Sequence, residues 1–361
     1  MHRQGTLRRV ARWMAWGAVI VVVVAALLIA TLRLLIANGM RIEGPAAIQE
    51  SGYVTIGGEP QWIELRGWDR ANPVLLWVHG GPGAPVISAN YSSFFPWERR
   101  FTVVHWHQRG AGLTYAASRA QQRLTIDTMV NDGIQVAEYV HSRLPKVAIV
   151  LVGHSWGSVL ATRMVQRRPD LFAAYVGTGQ FTTLEDDGRD LFTAAMARAR
   201  RDSNDTAIRA LDAVAALPVT DVRRMDVVRE WGRARARTED ISDNPLLVYL
   251  GVLLSPGYPV HRVFSVTRGF ATSRAELFEE ELRVNVPRDV PELEVPAFLF
   301  QGRDDWQVST PSALRYFDAL KAPVKGVVIF DGGHMVAMLQ SEAFLKALVE
   351  KVRPNAITTS R

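Results

Sequence analysis

The sequence predicts a doubly wound α/β protein, in which a mostly parallel sheet is interrupted by a helical insertion and preceded by a membrane-spanning helix. Short apolar runs, such as residues 74–78 and 147–152, alternate with longer helical patterns. Runs that are apolar at consecutive positions are typical of strands covered on both faces. From about residue 180 to residue 290 strand signals are few and Arg, Ala, Asp and Glu dominate, and the alternation resumes at Val295. We therefore expect an α/β core that a block of helices divides in two.

The net positive charge of the chain is concentrated at its amino terminus. The 361 residues include 42 Lys and Arg and 36 Asp and Glu, a net charge of +6. Residues 1–41 contain six arginines and no acidic residue, so residues 42–361 hold 36 basic and 36 acidic side chains. A balanced body has no excess charge with which to hold a phosphate backbone, and we expect no nucleic-acid partner. The absence of cysteine excludes disulfides, thiolate catalysis and zinc sites built on cysteine.

The first element of the chain is predicted to cross a membrane. Between Arg12 and Arg33 lie 20 consecutive uncharged residues, and a helix of this length spans about 30 Å, the hydrocarbon thickness of a bilayer. We assign residues 1–12 to a basic cytoplasmic tail and residues 13–36 to a transmembrane anchor.

The alternative to an anchor is a cleavable signal peptide. Its apolar region usually has about 7–15 residues, which is shorter than this segment, and no small-x-small cleavage site follows. Four arginines precede the apolar segment and two follow it, so the positive-inside rule predicts a cytoplasmic N-terminus. The rest of the chain, including any catalytic domain, is then expected on the extracytoplasmic side.

Beyond the anchor, strands and helices alternate as a doubly wound sheet requires. The predicted strands are residues 53–56, 62–65, 74–78, 101–106, 147–152, 173–177, 295–300 and 327–330. Helical patterns fill most intervals, and Thr125 is a suitable N-cap for one of them. We expect a core at residues 45–180 and 290–355 and a helical cap at residues 181–289.

A candidate nucleophile follows the apolar run at 147–152 directly. Residues 153–157 read GHSWG, which matches G-x-S-x-G, the tight strand-to-helix turn that projects a serine at the end of a sheet. The motif is short, but the apolar strand before it and the helical pattern after it provide the context that it requires. Ser155 is therefore the candidate nucleophile, and His154 is expected to pack beside it.

A serine hydroxyl needs a general base, and in this arrangement the chain order is serine, acid, histidine. Only His261 and His334 follow Ser155 in the sequence. His261 falls in the helical insertion, whereas His334 lies in a glycine-rich loop just after an apolar strand. We therefore expect His334 to be the base.

The acid that orients this base should follow the strand at 295–300. The sequence there is GRDDWQV, and either Asp304 or Asp305 could hold the imidazole and stabilise its charged form. Spacing from the preceding glycine favours Asp305. Asp318 and Asp331 are weaker candidates, because one lies on a helical pattern and the other is very close to His334.

An acyl-transfer site also needs two donors for the oxyanion. One is the backbone N–H of Trp156, the residue after the nucleophile. The second is expected from the loop after the strand at 74–78, where residues 79–83 read HGGPG. We choose the N–H of Gly81, because glycines let the backbone turn toward the substrate and Pro82 has no N–H to offer.

These motifs together resemble those of the proline iminopeptidase (prolyl aminopeptidase) family of α/β-hydrolases. The resemblance rests on HGGPG at 79–83, QRGAG at 108–112, GHSWG at 153–157, GRDD at 302–305 and the terminal His334, and it covers about residues 50–180 and 290–350. It implies an α/β-hydrolase fold, a Ser155–Asp305–His334 triad, an oxyanion hole at Gly81 and Trp156, and a cap at 180–290.

The chain departs from this family at two places. The family usually has an acid immediately before Gln-Arg-Gly, and here the residue is His107. The peptidases bind the substrate's amino terminus with cap glutamates, and here no clear equivalent stands out. Candidate substrate contacts are Gly80, His154 and Glu230. Four further cap glutamates are Glu276, Glu279, Glu280 and Glu281.

The sequence therefore predicts a membrane-anchored serine hydrolase that acts through an acyl-enzyme on a small molecule or peptide. Two substrate classes compete, peptides with a free N-terminus and small or lipid-derived esters. A third hypothesis is a ligand-binding sensor that keeps the fold with little turnover. We expect no cofactor and no metal. His105 and His107 share one strand face, but no third ligand accompanies them.

Overall fold

The computed structural model describes residues 2–87, 91–117, 123–233 and 245–358. Eight strands lie within these residues: β1 (Ile48–Ile56), β2 (Glu59–Gly67), β3 (Val74–Val78), β4 (Thr102–His107), β5 (Ile149–His154), β6 (Ala174–Thr178), β7 (Ala297–Gly302) and β8 (Lys325–Phe330). They form one sheet with the order β1-β2-β4-β3-β5-β6-β7-β8. The β1–β2 and β2–β4 pairs are antiparallel, and all other neighbouring strands are parallel. This topology confirms the predicted fold class.

The helices fall into three groups. One precedes the sheet: α1 (His2–Gly39). Seven follow strands of the core: α2 (Gly112–Ala117), α3 (Ile126–Arg143), α4 (Trp156–Arg167), α11 (Thr310–Ala319), α12 (Val336–Leu339), α13 (Ser341–Ala347) and α14 (Arg353–Thr358). Six lie between β6 and β7: α5 (Leu184–Arg201), α6 (Asp205–Val214), α7 (Val222–Arg233), α8 (Pro245–Leu254), α9 (Phe264–Glu281) and α10 (Val286–Asp289).

The sheet has a hydrophobic layer on each face. Along β3, Leu76 packs with residues of α3 and α4 on one face. Leu75 and Trp77 point to the other face and pack in a cluster with Phe94 and Phe344. Every residue of β3 is buried, which is why its run is apolar at consecutive positions. Because both faces of the sheet are covered, a substrate-binding site is expected at the carboxyl ends of the parallel strands.

The sheet begins earlier than the sequence pattern indicated. The predicted strand 53–56 is the end of β1, which starts at Ile48 and forms a hairpin with β2. Since β1 is an edge strand, it exposes alternate residues, among them Ser51 and Thr55. Its first half therefore lacks the apolar run that marked the central strands.

The N-terminal helix α1 is long and apolar enough to span a membrane. Residues 11–39 contain an 18-residue window with a mean hydropathy of 3.0, none of which is buried. The helix begins at His2, so the predicted basic tail continues the same helix. Near its end Ile29, Arg33 and Ile36 are half-buried against the body, while most of their neighbours are exposed.

A buried ion-pair network joins the sheet to the loop that contains QRGAG. The Arg109 guanidinium lies 2.7 Å from Glu59 Oε1 and 2.8 Å from Asp132 Oδ2. It also donates to the carbonyl oxygen of Gly57 at 3.0 Å, and Gln61 Nε2 donates to Asp132 Oδ2 at 2.7 Å. These contacts connect the β1–β2 turn, the loop after β4 and helix α3 in one place.

Removing the charge of Asp132 should destabilise the fold strongly. In Asp132→Asn the buried Arg109 loses one of its two carboxylate partners but keeps Glu59, so the cost is that of the lost hydrogen bonds between charged groups, about 1.5–3 kcal/mol. We expect the free energy of unfolding in detergent to fall by that amount, as measured by denaturant titration. The control is Glu50→Gln, which removes the partner of Arg143 from a part-exposed pair and should cost less than about 1 kcal/mol. Equal losses in both variants would contradict this interpretation.

Candidate active site

Ser155 lies in a strained turn between β5 and α4. Its backbone adopts φ 55° and ψ −128°, a conformation that L-residues rarely adopt outside functional turns. The turn is possible because Gly157 passes close to the neighbouring strand: a Cβ there would lie 2.1 Å from the carbonyl oxygen of Val78. The Ser155 amide donates to the carbonyl oxygen of Thr178 at 2.9 Å, so the turn is also tied to β6.

The HGGPG loop after β3 runs directly over this serine. A Cβ on Gly80 would lie 2.8 Å from Ser155 Cβ, so Gly80 contacts the nucleophile position itself. Gly81 has φ 121° and lines the same pocket as Ser155 and Trp156. The two predicted oxyanion-hole residues therefore line the same pocket as the serine.

Asp305, and not Asp304, contacts His334. The distance between His334 Nδ1 and Asp305 Oδ2 is 2.8 Å. Asp305 is buried, and its Oδ1 accepts from the amides of Gln307 and Val308 at 2.8 and 3.1 Å. Asp304 is exposed. The two amide donors fix the carboxylate so that its other oxygen faces the imidazole.

His334 sits where the ends of β5 and β6 meet. A Cβ on Gly179 would lie 2.8 Å from His334 Cε1. The ring of His154 lies 4.8 Å from that of His334, and His154 Nε2 donates to the His334 carbonyl oxygen at 3.3 Å. His261, the other candidate base, is exposed in a short turn of the cap.

Four other histidines are buried and neutral. Burial lowers the pKa of His79 to about 4, and those of His105 and His154 to about 3. Burial also lowers the pKa of His107 well below its ordinary value. His107 Nδ1 accepts from the Leu113 amide at 3.1 Å, so a neutral imidazole anchors the loop where the resembling family has an acid.

These histidines do not form a metal site with neighbouring side chains. Among the residues that the structure describes, no group of three or more His, Asp or Glu side chains is arranged to hold a metal ion. His105 instead packs edge-on against Phe94, with ring centroids 4.9 Å apart.

The serine opens into a pocket of about 820 Å³, including its solvent-filled mouth, between the sheet and the cap. Its apolar lining consists of Phe181, Leu184, Leu191, Val219, Met225, Val228, Phe278 and Val308. Its charged lining consists of Asp187, Arg224, Arg229, Arg274 and Glu281. The pocket lining therefore combines apolar side chains with charges of both signs.

The structure does not bring Glu230 to this pocket. Glu230 is exposed, whereas Met225 and Val228 on the same helix α7 line the pocket. At 3.6 residues per turn, Glu230 lies on the opposite face of the helix. His154 packs against Trp77, with ring centroids 5.7 Å apart, and is not part of the lining. Among the five cap glutamates considered, Glu281 lines the pocket.

Asp187 is a pocket residue that the sequence did not single out. It is buried, its Oδ1 accepts from the Ser309 amide at 2.8 Å, and its Oδ2 has no hydrogen-bond partner within the described residues. Burial raises the pKa of this carboxyl well above its ordinary value, and the charge of Asp305 adds to the effect. In the sequence it looks like an ordinary first-turn acid after the N-cap Thr183, so no local signal distinguishes it.

Sequence comparisons with known proteins agree with the fold described above. A family model described as the alpha/beta hydrolase fold matches residues 73–340. The chain is 31% identical over 277 residues to the probable aminopeptidase YbaC of Bacillus subtilis, covering 75% of this chain and 86% of that protein. It is 33% identical over 118 residues to the proline iminopeptidase of Arabidopsis thaliana, covering 33% of this chain and 29% of that protein.

A solved structure supports the same fold. The crystal structure of proline iminopeptidase from Mycobacterium smegmatis aligns with a TM-score of 0.60 at 17% identity. The alignment covers 86% of this chain and 100% of that chain.

Asp187→Asn should change the pH dependence of stability. The carboxyl ionises in the unfolded chain near pH 4, but burial favours its neutral form in the folded protein. Its stabilising contribution is therefore present below about pH 4 and is lost as pH rises toward the raised folded pKa. Asparagine is neutral at every pH. The melting temperature of the variant should therefore rise relative to that of the wild type between pH 5 and pH 8. The exposed Glu185→Gln is the control, and a pH-independent difference for Asp187→Asn would contradict the shift.

Proposed function

The chain belongs to the α/β-hydrolase fold family and is a hydrolase of the serine type, and we propose that it is a membrane-anchored, proline iminopeptidase-like enzyme that cleaves the N-terminal residue from small peptides. The observation that carries the proposal is the hydrogen bond between His334 Nδ1 and Asp305 Oδ2, beside a serine in a strand-to-helix turn. This pairing leaves Nε2 of the imidazole as the nitrogen that can accept a proton from Ser155.

The proposed reaction proceeds through an acyl-enzyme. His334 Nε2 takes the Ser155 proton as the hydroxyl attacks the acyl carbon, and the Asp305 carboxylate stabilises the resulting imidazolium. The protonated His334 then gives its proton to the leaving amine, and water cleaves the acyl-enzyme by the same route. The neutral state of buried His154 supports this assignment, because a second charge beside His334 would disfavour the imidazolium.

The amides of Gly81 and Trp156 are proposed to bind the oxyanion. Trp156 is the first residue of α4, and the first amides of a helix have no partner within the helix. The positive end of the helix dipole also favours negative charge at this point. Gly81 lines the same pocket as Trp156.

The peptidase specificity is supported by Glu281. Its carboxylate lines the pocket and accepts no hydrogen bond within the described part of the chain. Burial raises its pKa, while the positive charges of Arg274 and Arg229 oppose that rise. A substrate ammonium could pair with this carboxylate, and we propose that it is the group that recognises the peptide's amino terminus.

The alternative substrate class is a small or lipid-derived ester. It is favoured by the eight apolar side chains of the pocket lining, because an acyl chain needs no charged partner. The two classes differ in whether activity depends on Glu281.

We also propose that α1 anchors the enzyme with its N-terminus in the cytoplasm and the catalytic domain on the other side. The apolar length of α1 and the excess of arginines before it support this orientation.

The two neighbouring aspartates should differ sharply in kinetics. Asp305→Asn removes the charge that stabilises the imidazolium and should lower kcat about 10³- to 10⁴-fold. Asp304→Asn changes an exposed side chain and should lower kcat less than about threefold. Both are measured with aminoacyl arylamides and short acyl esters. A larger effect of Asp304→Asn would overturn the assignment of the acid.

Glu281→Gln should separate the two substrate classes. Loss of the carboxylate should raise KM for an alanyl or prolyl arylamide about tenfold or more, since a hydrogen bond to a charged group contributes about 1.5–3 kcal/mol. The KM for an acyl ester without an amine should change little. The control is Glu230→Gln on the exposed face of α7, which should leave both substrates unaffected. Equal kinetics for wild type and Glu281→Gln on the arylamides would favour the esterase alternative.

A further inference from the structure

An exposed apolar surface lies on the cap beside α1. Its side chains come from α8, from the turn after it and from the start of α9, and we call it the apolar cap face: Leu246, Leu247, Leu250, Val260 and Phe264. Leu246 is 73% exposed and Phe264 is 62% exposed. Large apolar side chains grouped in this way on a soluble surface mark an interaction site.

Helix α8 is apolar on all sides. Residues 245–260 contain no charged side chain. One side of α8 is used within the protein, because Val252 is buried in a cluster with Ile87 and Tyr258. The opposite side, with Leu246 and Leu250, faces outward. A helix that is apolar all round is typical of a protein core or of contact with lipid, and here the side chains of Leu246, Leu247 and Leu250 are exposed.

Arg33 fixes this surface to the end of α1. Its guanidinium donates to the carbonyl oxygens of Leu253, Pro256 and Tyr258 at 2.5, 3.0 and 2.7 Å. Arg33 is the first charged residue after the 20 uncharged residues of α1. The segment that follows α8 is therefore held at the level where the apolar part of α1 ends.

We propose that the apolar cap face lies in the interfacial layer of the same bilayer that α1 spans. The inference rests on the proposed membrane anchor and goes beyond it, because it assigns a second membrane contact to the catalytic domain. Lipid is the occupant that the geometry favours, since α8 packs against α1 and its C-terminal end is held by Arg33 at the end of the uncharged segment of α1. Arg268 is exposed one turn after Phe264 on α9, where a cation can pair with phospholipid phosphate.

This contact places the pocket close to the membrane. Helix α9 begins at Phe264 in the apolar cap face, and Phe278 on the same helix lines the pocket. Their separation of 14 positions corresponds to about 21 Å of helix. In this proposal the N-terminal end of α9 contacts the bilayer, and its C-terminal half carries the pocket residues Arg274 and Glu281.

Quenching of site-specific fluorescent labels by lipid tests the proposal in the 361-residue chain. Because the chain contains no cysteine, a single fluorophore can be attached in Leu250→Cys, Phe264→Cys, Val22→Cys and Val327→Cys. Val22 lies in the apolar part of α1 and reports whether α1 is inserted. Val327, 41% exposed on β8 at the far edge of the sheet, is the matched apolar control. Each labelled protein is reconstituted into phosphatidylcholine–phosphatidylglycerol vesicles with or without doxyl-labelled lipid.

The expected result is at least twofold quenching by doxyl lipid at residues 22, 250 and 264, with none at residue 327. Aqueous iodide should quench the label at residue 327 at least threefold more efficiently than those at 250 and 264.

Each other outcome overturns the proposal in a distinguishable way. If residue 22 is quenched by lipid but residues 250 and 264 behave like residue 327, the anchor stands and the second contact is wrong. If residue 22 is not quenched by lipid, the anchor and the contact both fail. If the labels at 250 and 264 are shielded from both quenchers and show energy transfer between copies, the face binds a second copy of the chain instead.

Discussion

The whole site depends on one tight turn, the passage from β5 into α4 at Ser155. Its backbone has φ 55°, and the turn fits because glycines stand at the two closest approaches. Gly157 lies against β3, and Gly80 lies against Ser155 itself, so a side chain at either position would clash. The turn leaves the hydroxyl at the carboxyl edge of a parallel sheet. Since β3, β7 and β8 run parallel to β5, the loops that carry Gly81, Asp305 and His334 end at that same edge.

The parts of this site that follow core strands could be predicted from the sequence, because the apolar runs of the strands locate the loops. Ser155, Gly81 and His334 each lie within a few residues of such a run. The choice between Asp304 and Asp305 rested on spacing alone. The structure distinguishes the two by burial, since the Asp305 carboxylate is held by two backbone amides and Asp304 is exposed.

The cap could not be predicted to the same depth. Its helices are rich in charge, so their sequence gives the helical period but not which face meets the sheet. For this reason the sequence offers Glu230 as a candidate although its side chain is exposed. It gives no signal for Asp187, which lines the pocket and whose Oδ2 has no hydrogen-bond partner within the described residues. The pocket lining combines carboxylates, guanidinium groups and apolar side chains, so it offers partners both to a charged substrate terminus and to an acyl chain. The net charge of the chain has a separate role, because five of the six arginines that produce it lie in α1 and bear on the proposed orientation of that helix.

The central claim is that Ser155 becomes covalently acylated, and its most direct test is mass spectrometry of the intact protein and its peptides after treatment with a fluorophosphonate. The account predicts one adduct per chain, located on the peptide that contains Ser155, and no adduct in Ser155→Ala. Asp305→Asn should react much more slowly, because the imidazole is no longer held or stabilised. An unmodified wild-type protein would contradict the account and favour a binding function for the same fold, and equal labelling of Ser155→Ala would place the nucleophile elsewhere.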